Sequence, residues 1–180
     1  MSRKVVIISA SLRKNSNSEA LALAFKEGAE AAGHEVEFIS LKDKKLSFCK
    51  GCFSCQKTLL CTIKDDASAI VESLRQAQVI VFATPVYYYE MAGQLKTLLD
   101  RANPLYPSDY AFGDVYLLAT ATDTDATAID GARQGVLGWV RCFPKAQFKQ
   151  ALFCGGVTDP GDIAANSAAL DGARELGAQL

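Results

Sequence analysis

The chain has a single histidine, His34, and neither of the two common glycine-rich phosphate signatures. G-x-G-x-x-G and G-x-x-x-x-G-K are both missing, so no dinucleotide fingerprint and no nucleoside-triphosphate loop is present. With one histidine, placed at the start of a strand-like run, no Ser-His-Asp or Cys-His constellation can be assembled, and hydrolytic catalysis is a poor expectation. A net charge of −1 leaves no basic excess to meet phosphates, so no nucleic-acid or membrane-surface partner is expected. No apolar run approaches the roughly 18 residues needed to span a bilayer. The N-terminus passes from Arg3-Lys4 directly into a short apolar run, so no signal peptide is expected and a cytoplasmic location is. In a reducing compartment the six cysteines are not expected to form structural disulfides.

What is present reads as one α/β domain over residues 1–180, with ordinary hydrophobic (49%) and charged (22%) content. Val5 to Ala10 is β-branched and continuous, as a strand buried on both faces should be. Helical spacing follows from Glu19 to Ala32, closed by Gly33, and His34 to Ser40 alternates like a second strand. A cysteine-rich loop fills residues 41–65, and Asp66 is expected to cap a helix over Ala67 to Gln76. Val79 to Ala83 is a third strand, stopped by Thr84-Pro85, with a helix from Gly93 to Arg101. Asp114 to Thr120 and Phe148 to Cys154 complete the strands. Ala126 to Cys142, weakened by three glycines, and Ile163 to Gln179 complete the helices. Alternating strands and helices predict a flavodoxin-like three-layer sandwich, a five-stranded parallel sheet of order 2-1-3-4-5.

In such a sheet, ligands sit beyond the carboxyl ends of strands 1, 3 and 4. The first of these loops carries Ser9, Ser11, Arg13, Ser16, Asn17 and Ser18 ahead of a helix start. A helix N-terminus presents unpaired N–H groups and a positive dipole end to a phosphate, and a monophosphate suits this loop. The plainer alternative is a polar loop with a Ser or Asn cap. The second loop, Thr84 to Met91, contains Pro85, Val86, Tyr87, Tyr88 and Tyr89. Its backbone N–H groups and aromatic rings suit a flavin ring system; the tyrosines also suit a dimer contact. The third loop, including Thr120, Ala121 and Thr122, is less specific, since Thr124 or Asp125 can simply cap the next helix.

Cys49, Cys52, Cys55 and Cys61 have the spacing C-x-x-C-x-x-C-x5-C, close to the ferredoxin run that holds a [4Fe–4S] cluster, although no proline follows the last cysteine. Three readings stay open: a cluster, a set of redox-active or inert thiols, and zinc, which is disfavoured because structural zinc sites usually come as two separated pairs. Trp139 and Val136, three apart on a helix, read as core, and Cys142 and Cys154 as small hydrophobes. Gly155-Gly156 and Asp159 to Asp162 read as a turn into the last helix.

The pattern S-x-R-x-x-S-N-S, the segment TPVYYY…GQLKTLLDR and the cysteine motif with its KDD together resemble the NADPH-dependent FMN reductase-like flavoproteins, and within them the branch that includes the iron–sulfur flavoproteins. The resemblance implies non-covalent FMN. By position, Ser11, Arg13, Ser16, Asn17 and Ser18 would hold its phosphate and Pro85 to Tyr89 its rings. It implies NAD(P)H as co-substrate, a small-molecule or protein electron acceptor, and a homodimer or homotetramer. An oxidoreductase is expected in which FMN does the chemistry, so no catalytic acid or base is named. The rival expectation is an electron carrier that relays between FMN, a [4Fe–4S] cluster and partner proteins.

Overall fold

A computed structural model describes all 180 residues. Five parallel strands form the sheet: β1 (Lys4–Ser9), β2 (Glu35–Ser40), β3 (Val79–Tyr87), β5 (Asp114–Thr120) and β6 (Gln147–Cys154), in the order β2-β1-β3-β5-β6. This is the expected 2-1-3-4-5 arrangement. A sixth strand, the two-residue β4 (Glu90–Met91), adds to it by pairing antiparallel to the end of β3. The helices are α1 (Asn17–Ala31), α2 (Ser54–Thr58), α3 (Ala67–Gln76), α4 (Gly93–Arg101), α5 (Asp130–Val140) and α6 (Ser167–Ala178).

Alternation along the central strands divides the core in two. Val5, Ile7, Val79 and Val81 point to the face covered by α1 and α6, where they meet Leu21, Phe25 and Ala173. Val6, Ile8, Ile80 and Phe82 point to the other face and meet Ile70, Leu74, Leu95, Leu98 and Val136 of α3, α4 and α5. Both faces of the central strands are therefore apolar, which is why these runs are continuous rather than alternating in the sequence. Val136 is fully buried, and the partly buried Trp139 packs on the core, stacked on Phe112 and edge-on to Phe82, as expected.

Several boundaries differ from the sequence expectation, each for a local reason. Thr84-Pro85 does not stop β3, which runs on to Tyr87. β1 ends opposite Ala83, so Pro85 lies where one side of β3 is already an edge and its missing N–H deprives no neighbour. α1 begins at Asn17 because the Ser16 side chain caps it, accepting from the Glu19 N–H. The cap expected of Asp66 falls to its neighbour: Asp65 accepts from the Ala67 N–H, and Asp66 accepts from the Lys45 N–H instead. The two C-terminal helices each open with a short 3-10 turn, Ala126–Ile129 and Asp162–Ala165. Within 41–65 the loop contains α2, bounded by Phe53 and Leu59 in left-handed conformations. No helix is long and apolar enough to cross a membrane.

Candidate functional site

The carboxyl ends of β1, β3, β5 and β6 enclose one cavity. It is lined by Ser11, Arg13, Ser16 and Asn17 from the first loop, Pro85, Val86 and Tyr87 from the second, and Thr120, Ala121 and Thr122 from the third. Three loops that lie far apart in sequence thus meet at one place, as the strand order requires. A fourth loop, which sequence reasoning took for a plain turn, supplies Val157, Thr158 and Pro160. It could have been found by extending the strand-end rule to β6, the neighbour of β5.

The loops are laced to one another by hydrogen bonds. The Asn17 amide spans to the fourth loop, donating to the Asp159 carbonyl (2.9 Å) and accepting from the N–H groups of Gly161 (3.1 Å) and Ile163 (3.2 Å). Its carbonyl oxygen is therefore committed to loop geometry, and its second amide N–H and its backbone N–H in the first turn of α1 are left for a ligand. Arg13 donates one guanidinium N–H to the Thr158 carbonyl at 2.7 Å and keeps the others. Thr158 and Thr122 share a hydroxyl bond of 3.1 Å. The Thr84 hydroxyl accepts from the Ala92 N–H at 3.0 Å and donates to the Pro85 carbonyl at 2.8 Å, which fixes the base of the β3–β4 turn.

Four of the expected cofactor residues stand outside the cavity wall. Ser9 is fully buried and its hydroxyl bonds the Glu19 carboxylate. Ser18 is also fully buried, its hydroxyl against that of Ser16. Tyr88 and Tyr89 form the two-residue tip between Tyr87 and its partner Glu90. Both tip residues have positive φ (50° and 62°), a conformation that costs a non-glycine residue about 1–2 kcal/mol. Tyr88 is wholly exposed, while the Tyr89 phenol donates to Asp123 at 3.0 Å, and that bond raises the phenol's pKa.

None of the thirteen cavity-lining residues is acidic. The donors are five serine and threonine hydroxyls, one guanidinium and the N-terminal N–H groups of α1, whose dipole adds positive potential. This donor set fits a phosphate monoester, with the apolar Pro85, Val86 and Tyr87 wall beside it for a flat ring.

The four loop cysteines do not come together. No three Cys, His, Asp or Glu side chains stand close enough to hold a metal ion. Cys55 is buried and accepts from the Asn103 amide at 3.2 Å, and Cys61 lies against the Arg101 guanidinium. Cys49 and Cys52 are exposed. As folded, this arrangement does not fit a cluster or zinc. What fixes the loop is Arg101, whose side chain is fully buried. It binds both Asp65 carboxylate oxygens (2.7 and 2.9 Å) and the carbonyls of Ser47 and Ile63. Cys142 is exposed rather than a core residue, because it lies past the end of α5. Cys154 is buried as expected, and burial pushes its thiol pKa up.

These environments order the thiols by reactivity. The Ser54 N–H and hydroxyl, then Thr62, draw the exposed Cys52 thiol below its ordinary pKa. Brief treatment with iodoacetamide near neutral pH is expected to label Cys52 first and to spare Cys55 and Cys154. Peptide mapping checks this, and Cys154 labelling ahead of Cys52 would contradict it.

An iron-sulfur flavoprotein of Methanocaldococcus jannaschii is 39% identical over 102 residues, 57% of this chain and 53% of the relative. An iron-sulfur flavoprotein of Archaeoglobus fulgidus is 39% identical over 108 residues, 60% and 55% of the two chains. The chain thus spans about half the length of the curated relatives it matches. An NAD(P)H:quinone oxidoreductase from Methanothermobacter marburgensis shares the fold at a TM-score of 0.79 and 22% identity, covering 99% of this chain and 96% of that one. The family model for NADPH-dependent FMN reductase matches residues 3–147, a span that holds three of the four loops around the cavity and the whole cysteine segment. The chain belongs to the NADPH-dependent FMN reductase family.

Proposed function

We propose that this chain, as a single domain, is an FMN-dependent oxidoreductase that draws electrons from NAD(P)H and delivers them to a small-molecule or protein acceptor. The observation that carries the reading is the meeting of the β1, β3 and β5 loop ends around a cavity with hydroxyl and guanidinium donors and no acid. Bound FMN would supply two-electron chemistry between the nicotinamide and the acceptor. The protein's part is to hold and orient it. Ser11, Ser16 and Arg13 take the phosphate together with the first N–H groups of α1, and Thr122 and Thr158 close the opposite side. Pro85 to Tyr87 set the plane of the rings, on a backbone fixed from below by Thr84. No side chain of the cavity is placed as a proton donor.

The exposed aromatic groups Phe48, Phe53, Tyr88 and Tyr106 support a homodimer or homotetramer. The experiment is anaerobic mixing of the FMN-loaded protein with NADPH, followed by a quinone. Loss of the flavin's visible absorption and its return on quinone addition are expected. Absorption that does not change with NADPH would overturn the reading.

The rival carrier reading is favoured by the cysteine spacing and by the names of the two archaeal relatives. The thiols as folded do not support it, and no electron step is routed through a cluster. Iron and acid-labile sulfide assayed on anaerobically purified protein decide: about four irons per chain would establish the carrier reading.

A further inference from the structure

α5 carries Gly131, Gly135 and Gly138, although glycine is the worst helix former after proline. Packing separates the three. A Cβ on Gly131 would lie 2.2 Å from the Tyr89 carbonyl oxygen and 3.3 Å from a Glu90 carboxylate oxygen. A Cβ on Gly135 would lie 2.5 Å from Cε of Met91. A Cβ on Gly138 would meet nothing within 4 Å. Gly131 therefore lets the backbone of the β3–β4 turn rest directly on α5, Gly135 makes room for the Met91 side chain of β4, and Gly138 does neither.

We propose that Gly131 and Gly135 are positioning residues for the ring end of the cofactor site. They set the height at which the Tyr87–Glu90 turn stands beside the cavity. The inference rests on the flavin reading of that cavity and adds to it a control by residues that do not touch the ligand. The turn is short, with one ladder pair at Val86 and Met91 and one at Tyr87 and Glu90. It has no slack to absorb a displacement at its tip. Lifting the Tyr89 carbonyl to clear a methyl group moves a backbone oxygen by about an ångström, a scale of misplacement that matters in a binding site. The lift reaches Val86 and Tyr87 in the cavity wall through those two pairs, and it disturbs the Tyr89–Asp123 bond that ties the turn to the third loop. The contact at Gly135 is softer, because the end of a methionine side chain can move.

The test compares Gly131→Ala, Gly138→Ala, and Gly135→Ala with and without Met91→Leu. The readouts are FMN Kd, the ratio of FMN to riboflavin affinity, the visible spectrum of the complex and Tm. Gly138→Ala is expected to raise Tm by a few degrees and leave FMN affinity unchanged. Gly131→Ala is expected to weaken FMN about tenfold or more and shift the flavin bands. The FMN-to-riboflavin ratio should stay the same in that variant, because the phosphate loop is untouched. Gly135→Ala should show a smaller loss that Met91→Leu restores.

Wild-type affinity and spectrum in Gly131→Ala would overturn the proposal. If that variant does not fold, the Gly135 pair decides: no loss in Gly135→Ala, or a loss that Met91→Leu leaves in place, overturns it equally. Failure of the wild-type protein to take up FMN would be a different result, overturning the flavin reading itself and this one with it.

Discussion

Arg13→Ala combined with Ser16→Ala is expected to weaken FMN binding by about 3 kcal/mol or more, at least a hundredfold. Charge-assisted hydrogen bonds to phosphate contribute roughly 1.5–3 kcal/mol each, and the double variant removes two donors from one end of the cavity. Ser16 has a second role, since its hydroxyl caps α1, and losing a cap costs about 1 kcal/mol of stability. Ser16→Asp separates the two effects. Aspartate caps a helix as well as serine does, so stability should hold, yet its carboxylate faces the phosphate and FMN affinity should collapse. Titration by flavin fluorescence, with Tm measured alongside, checks both variants. Full FMN affinity in Ser16→Asp would place the phosphate elsewhere.

Arg101→Met is expected to destabilise the protein by about 3–5 kcal/mol, the usual result of breaking a buried ion pair from one side. Asp65, with its side chain 6% exposed, would be left charged with no countercharge, held only by the Ser47 and Ala67 N–H groups. The carbonyls of Ser47 and Ile63 would also lose their donor. Arg101→Met with Asp65→Leu should recover much of the loss, because no buried charge then remains. Denaturant unfolding measures each variant and the coupling between them. A loss under 1 kcal/mol in the single variant would mean that the clamp does not hold the loop.

The same pair gives acid sensitivity a sign. Burial alone would raise the Asp65 carboxyl, but hydrogen bonds from Arg101 and from the backbone N–H groups of Ser47 and Ala67 prevail and hold it at about 2. A carboxyl depressed in the folded state stabilises above its unfolded pKa, near 4. That contribution is lost as pH falls from about 4 towards 2, and the wild-type protein should lose stability in that window. The Asp65→Leu background should not show this component.

The sheet order, the two buried faces and three walls of the cavity were legible because they follow from periodicity and from one topological rule. Val5 to Ala10 and Val79 to Ala83 could hardly be anything but central strands. The misses arise where geometry is set by residues distant in sequence. Asn17 stands in the cavity wall as expected, but sequence reading did not show that its amide oxygen also binds Gly161 and Ile163, more than 140 positions away. The cysteine spacing suggested convergence, while the loop's path follows Arg101, at the end of the GQLKTLLDR segment, to which sequence reading assigned no task. Gly131 and Gly135 read as helix weaknesses until the turn that rests on them was in view.

The most direct test of the central claim compares FMN with riboflavin on the flavin-free protein. The two differ only in the phosphate that the β1 loop is held to bind. FMN is expected to bind one per chain and at least a hundredfold more tightly than riboflavin, with the preference cut at least tenfold in Arg13→Ala/Ser16→Ala, where Ser11 and the α1 N–H groups remain. Equal affinity for the two, or a preference undiminished by that double substitution, would contradict the assignment of the loop and of the site built on it.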